Sequence, residues 1–242
     1  MILQFDLTRF IQVYVIQGLV MALCFFLAIR TIQRNKKRLN LIFSGFYFSV
    51  GIGLFLNFIY APLQIEGLES VVLILNFLTN YFIALGPIFF VIFELILIKS
   101  EKIIDRNKQI MLISIYALIL LFMLVFLPFG GVVIDSTTDW KPTYNFVFYL
   151  YLMITLFIGT SLPSLYYAFS IYNSFGDPSL KKRWRFFIIG IMVLFIFMYG
   201  TFTANYLNNQ TFRTIWSLIG LVGVISGTIL VYFGVGRQIE QK

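Results

Sequence analysis

Seven uninterrupted apolar runs leave this chain little choice of environment. They cover about 10–29, 39–60, 71–98, 109–129, 144–172, 186–206 and 214–235. A hydrocarbon layer near 30 Å takes about 20 helical residues at 1.5 Å each, and every run meets that length. Lipid offers no partner for free backbone groups, so each run is expected to satisfy its own by coiling into a helix. A β-barrel would instead show alternating segments of about ten residues. Runs such as LILNFLTNYFIALGPIFFVIF do not alternate. The expectation is an all-α membrane protein, one seven-transmembrane helix bundle over residues 1–242, with no separate soluble domain.

Composition agrees. Sixty per cent of the 242 residues are hydrophobic and 12% charged, whereas a water-soluble domain keeps about a quarter of its residues charged. Twenty-nine Phe and 14 Tyr fit a lipid-facing surface with aromatic residues at both interfaces. The net charge of +8 is held in short loops pressed against apolar spans, which argues against nucleic acid. Cys24 is the only cysteine, so no intramolecular disulfide forms, and histidine is absent. That removes His-ligated haem, His-containing metal sites and every His-based triad; no metal or cofactor is expected.

Loop charge gives the orientation. Arg30, Arg34, Lys36, Lys37 and Arg38 follow the first span; Lys99, Lys102, Arg106 and Lys108 follow the third. Lys181, Lys182, Arg183 and Arg185 follow the fifth, with Arg237 and Lys242 after the seventh. Fifteen of the 18 Lys and Arg thus fall on one side, and only Arg9, Lys141 and Arg213 on the other. The positive-inside rule puts the N-terminus outside and the C-terminus in the cytoplasm, in the cell membrane. The first span has no basic stretch before it, only Asp6 and Arg9, and Leu23 directly precedes Cys24, so it reads as a retained helix and not a cleaved signal.

Within the spans, few side chains carry chemistry. Glu94 is the only acid, and an ionisable group at the bilayer centre costs about 2.5–3.5 kcal/mol on insertion scales. Lys99 lies five residues on, about 7.5 Å along a helix, so Glu94 reads either as snorkelling to the interface or pairing with a loop cation, or as a group handling ions or coupling a signal. Gln17, Asn57, Asn76, Asn80, Thr155, Thr203 and Asn205 all lie in the outward halves of their spans. Asn76 and Asn80, four apart, share a helix face. Buried amides need partners and so face the bundle, where they either tie helices together or line an outward-open pocket for a small polar or amphipathic ligand.

Breakers and small residues come next. Gly86-Pro87 interrupts the third span, and Pro163, after Gly159, the fifth; each proline removes a backbone hydrogen bond and bends its helix, as a fixed kink or as a hinge. Gly220, Gly223 and Gly227 share one face of the seventh span, the pattern of close helix packing. It reads as an internal seam or as a homo-oligomer contact. Lys181, Lys182, Arg183, Trp184 and Arg185 form the best cytoplasmic docking candidate, with Trp184 at the interface beside four cations that attract anionic lipid. The acceptor triplet at Asn209 lies too close to two spans to be read as a glycosylation site.

Enzyme classes are disfavoured. All five Asp lie in loops or at the N-terminus, so no intramembrane aspartate pair exists. The seventh span lacks a lysine for a retinal Schiff base, and neither Asp/Glu-Arg-Tyr nor Asn-Pro-x-x-Tyr nor a Pro-Gln pair occurs. Seven spans, an outside N-terminus and a short basic first loop, with texture such as RLNLIFSGFYFSVGIGLFLNFIYAP, resemble the seven-helix N-terminal sensor modules of microbial histidine kinases. The resemblance implies a sensor or receptor; with no kinase domain in this sequence, the signal is expected to pass to a separate cytoplasmic or membrane partner. The alternatives are a small-solute carrier or channel, and a non-catalytic subunit of a membrane complex.

Overall fold

In the computed structural model, which describes residues 10–34 and 37–236, each apolar run is a helix long and apolar enough to cross a membrane. These are α1 (Val13–Gln33), α2 (Arg38–Leu63), α3 (Glu69–Lys99), α4 (Arg106–Phe129), α5 (Phe146–Ser174), α6 (Pro178–Leu207) and α7 (Gln210–Val235). Arg9, Lys36, Arg237 and Lys242 lie outside the described residues, as does the side chain of Arg34.

Side-chain oxygens set four of the helix starts, taking up donors that no earlier turn can satisfy. Asp105 accepts from Lys108 N at 2.9 Å, Asn145 from Phe148 N at 2.8 Å, Asp177 from Ser179 N at 2.8 Å and Asn209 from Phe212 N at 3.0 Å. With Asp177 as cap and Pro178 in the first turn, α6 begins eight residues before the apolar run at 186. The basic segment 181–185 is therefore helical rather than a loop.

Both proline breaks appear, each solved differently. In α3 the chain makes a tight turn at Gly86-Pro87, and Phe89 N and Phe90 N donate to the carbonyls of Gly86 and Pro87, both at 3.1 Å. Nearby carbonyls are taken up from neighbouring helices: Ser49 donates to Phe82 O (2.6 Å) and Tyr116 to Ala84 O (3.2 Å). In α5 the helix widens over Phe157–Ser161, where Leu162 N reaches back to Phe157 O, and the wide turn absorbs the missing donor of Pro163.

Consecutive helices pack side by side, and the ring α1–α2–α3–α5–α6–α7 closes where α7 meets α1. The most buried helix is α3; α4 lies outside the ring against α3 and α5 and is the least buried. At one end the connections carry the basic residues. At the other, residues 130–145 fold back as a two-stranded ribbon, β1 (Val132–Val133) paired with β2 (Thr143–Tyr144), Val132 opposite Tyr144. Val132, Ile134 and Tyr144 are buried there.

Two apolar clusters result. One, at the ribbon end and around α4, includes Tyr60, Val72, Tyr116, Leu120, Phe148 and Phe202. The other, at the basic end, stacks Phe43, Tyr47, Phe90, Phe93, Trp184 and Phe187. Between α6 and α7 the helices nearly touch: a Cβ on Gly223 would lie 1.6 Å from Phe197 Cε2, and one on Gly190 2.8 Å from the Gly227 carbonyl. Gly220, the third of the α7 glycines, also faces Phe197, at 3.7 Å. This face of α7 packs against α6 of the same chain, as the internal-seam reading expects.

Candidate functional site

The amides of α3 are the start of a network. Four residues apart, Asn80 Nδ2 donates to the backbone O (3.0 Å) and the Oδ1 (2.9 Å) of Asn76. Asn76 Nδ2 donates to Tyr60 Oη of α2 (2.9 Å), and Tyr144 of the ribbon donates its hydroxyl to Asn80 Oδ1 (3.0 Å). Separately, Asn57 Nδ2 donates to Gln17 Oε1, joining α2 to α1. Four of the seven polar residues singled out in the sequence thus tie elements together through one another and through two tyrosines.

These four, with Asn205 of α6, line a single cavity of about 370 Å³ between α1, α2, α3, α6 and α7. Its mouth, at the ribbon end, carries Gln64, Lys141, Pro142, Gln210 and Arg213; its floor is Phe46, Val50, Pro87, Phe90, Leu194 and Val224. Phe46 and Phe90 stack there with ring centroids 4.1 Å apart. The polar wall and the apolar floor are what the pocket of a small amphipathic molecule requires.

Two of the expected pocket residues are elsewhere. Thr155 belongs to α5, which contributes nothing to the cavity wall. Thr203 is on α6 but turned toward α5, at 3.1 Å from Tyr149 Oη and donating to Tyr199 O at 2.9 Å. Tyr60, Tyr144, Lys141, Arg213 and Trp216 were not picked out from the sequence as site residues. Arg213 did leave a sign. It falls in the first turn of α7, where the helix dipole disfavours a cation by about 0.3–1 kcal/mol, so its presence there needs a reason.

Arg213 is held by carbonyls alone. Its Nε donates to Ala204 O (3.1 Å), and Nη2 donates to Pro142 O (2.7 Å) and Asn205 O (3.5 Å). These bonds fasten the end of α6 and the ribbon to α7 and use three of the five guanidinium donors. Lys141, the other cation of the mouth, pairs with the exposed Asp139 at 3.7 Å. No Asp or Glu lines the cavity.

At the basic end, two expectations give way. Glu94 neither snorkels nor pairs with a cation: it is fully buried, and Oε1 accepts from Ser164 Oγ of α5 at 3.0 Å. Oε2 has no partner among the described residues. The reason is lateral packing. Depth along α3 is small, but α5, packed against this half of α3, closes over the carboxyl. Trp184 is likewise not at an interface. It is buried, donates Nε1–H to Ala168 O at 2.7 Å and packs on Phe187, ring centroids 4.6 Å apart. The neighbouring cations turn outward: Lys182 and Arg185 are exposed, Arg185 Nη2 donates to Tyr172 Oη (3.1 Å) and Lys181 Nζ lies 5.7 Å from that ring. The docking candidate is therefore Lys181, Lys182, Arg183 and Arg185 without the tryptophan.

Among the described residues no group of three His, Cys, Asp or Glu is placed to hold a metal ion. No family model, no curated protein and no solved structure matches this chain.

Proposed function

We propose that the chain is a seven-helix integral protein of the cell membrane, with its N-terminus outside, acting as a sensor or receptor. Seven apolar helices and the basic residues gathered at one end support the placement. So does the exposure of large apolar side chains on the outer faces of the helices, such as Leu118, Ile158 and Val222.

The observation that carries the reading is the position of the α3 break relative to the cavity. Pro87 is part of the cavity floor, and Glu94, about 10 Å further along α3, is hydrogen-bonded to Ser164, the residue after the α5 proline. A ligand resting on the floor touches the first break, and the Glu94–Ser164 bond joins the far side of that break to the second. Movement of α3 and α5 then alters the face carrying Lys181, Lys182, Arg183 and Arg185, where anionic lipid or a partner protein reads it. Such a ligand transmits only if it prefers one helix arrangement to the other.

A thermal-shift screen of the purified chain in neutral detergent tests this. The expected result is a set of binders that raise Tm in the wild type and lose their effect in Asn76→Leu/Asn80→Leu. An absence of binders, or binders indifferent to that double change, defeats it. A carrier or channel is the runner-up, and it needs the stacked Phe46 and Phe90 to part. Flux of the binder into proteoliposomes favours it over reception.

A further inference from the structure

The mouth of the cavity carries two cations; Lys141 pairs with the exposed Asp139 at 3.7 Å, and Arg213 has no acidic partner among the described residues. Lys141 and Arg213 line the cavity and no carboxylate does. The three bonds of Arg213 go to neutral carbonyls through Nε and Nη2, so both N–H groups of Nη1 lack a partner among the described residues. Carbonyls orient a guanidinium without cancelling its charge, and a charge half withdrawn from water is costly unless paired. It also stands in the first turn of α7, where the helix dipole is of the same sign. An anion arriving at Nη1 relieves both.

Below the mouth the wall changes character in order. The amides of Asn76, Asn80 and Asn205 come next, followed by an apolar floor at Phe46, Phe90 and Val224. From Arg213 to Val224 is roughly 16 Å along α7. Thr79, also in the wall and 5% exposed, has a hydroxyl with no partner among the described residues, not even the i−4 carbonyl that a mid-helix threonine can reach. A volume of about 370 Å³ is near the small end of the range for ligand pockets, which suits a single chain better than a two-chain lipid.

We infer that the cavity binds a single-tailed amphiphile with an anionic oxygen head, a carboxylate or phosphate monoester, placing its head at Arg213 and Lys141 and its tail on the Phe46–Phe90 floor. The inference rests on the reading of this cavity as a ligand site. A bare anion leaves the floor unused, and a neutral or cationic head leaves Arg213 unpaired.

The test uses the full chain in phosphatidylcholine nanodiscs, titrated with dodecanoate, dodecyl phosphate, hexanoate, dodecanol and dodecyltrimethylammonium, with Tm and calorimetric affinity as readouts. Dodecanoate or dodecyl phosphate is expected to bind at least about tenfold more tightly than dodecanol, a difference of about 1.4 kcal/mol, and the cationic amphiphile not at all. Arg213→Gln is expected to remove that preference. Because Arg213 also fastens three carbonyls, Lys141→Gln serves as the variant that leaves those ties in place, with a several-fold loss for the anions only. Varying the lipid-to-protein ratio separates the sources: affinity that follows the concentration in lipid assigns entry from the bilayer, and affinity that follows the aqueous concentration assigns entry from outside. Dodecanol binding as tightly as dodecanoate, or anion affinity unchanged in both variants, overturns the anionic head; hexanoate matching dodecanoate overturns the tail. If no probe binds, the inference fails, and the receptor reading is then judged separately by the broader screen with the amide double variant.

Discussion

The two ends of α3 differ in kind: one carries amides and the other aromatic rings. Above Gly86-Pro87, toward the ribbon, it presents Asn76 and Asn80 to Tyr60 of α2 and to Tyr144; below, it presents Phe90 and Phe93 to rings from α2 and α6. The amides fix distances between helices, because a hydrogen bond has a required length and direction, but they fill little space. The rings fill space and leave none. A cavity at one end and a solid core at the other therefore follow from which side chains α3 carries on either side of its break. The open end holds polar groups bonded several ways, whereas the closed end holds one carboxyl on a single hydroxyl.

Truncating one apolar side chain in the solid core and one beside the cavity separates these two regimes most sharply. Phe93 is fully buried among Phe43, Trp184 and Phe187. Phe93→Ala opens a void that the packed core cannot collapse, with an expected cost of about 3–5 kcal/mol. Leu221 borders the existing cavity and is only partly buried. Leu221→Ala merely enlarges that cavity and is expected to cost less than half as much. Thermal unfolding of both variants in neutral detergent compares them; equal losses would mean that the wall of the cavity is as tightly filled as the solid core.

Much of this contrast was legible from residue order. Span positions, both breaks and the amide set followed from hydropathy, proline chemistry and the need of buried amides for partners. What was not legible depends on rotation about each helix axis. Thr155 lies at the right depth but on α5, which contributes no wall to the cavity. Thr203 is two residues from Asn205, enough to turn it toward Tyr149. Glu94 is close to Lys99 in sequence, yet the approach of α5, invisible in a linear reading, buries it. Trp184 was read as a loop residue because charged neighbours hide the helical period; once Pro178 starts the helix, position 184 faces the core while 182 and 185 face out. Arg213 was counted as one of three outward cations, and its conflict with the dipole of α7 was the cue to its place in the site.

The polar groups give a smaller version of the comparison. Glu94 has Ser164 as its hydrogen-bond donor, and Asn80 has Asn76, Tyr144 and its own helix. Ser164→Ala leaves a buried carboxyl with no partner, a loss of about 1–3 kcal/mol. Tyr144→Phe leaves Asn80 still bonded to Asn76 and is expected to cost about 0.5–1.5 kcal/mol. The same unfolding measurement orders them. If Tyr144→Phe proves the more damaging, the network at the open end is as dependent on a single bond as Glu94 is, and the distinction between the two ends fails for polar groups.

The smallest effect is at the rim, where Asp135 shapes the turn that leads to Lys141. Its carboxylate accepts from Thr137 Oγ1 (2.6 Å), Thr137 N (2.9 Å) and Thr138 N (3.2 Å). Those bonds, the hydroxyl of Thr137 foremost, hold its pKa below the ordinary aspartate value. A carboxyl depressed on folding contributes stability that is in force above the unfolded value, near 3.9, and is lost as pH falls through the folded one. Since the group is fully exposed, water screens the gain and the consequence is local. Amide chemical shifts of Thr137 and Thr138 should therefore stay constant from neutral pH down to about 4 and titrate only below it, and in Asp135→Asn they should stay flat throughout. A midpoint at or above the free aspartate value would show that the turn does not hold the carboxylate, and the rim would then be set by Arg213 and its three carbonyls alone.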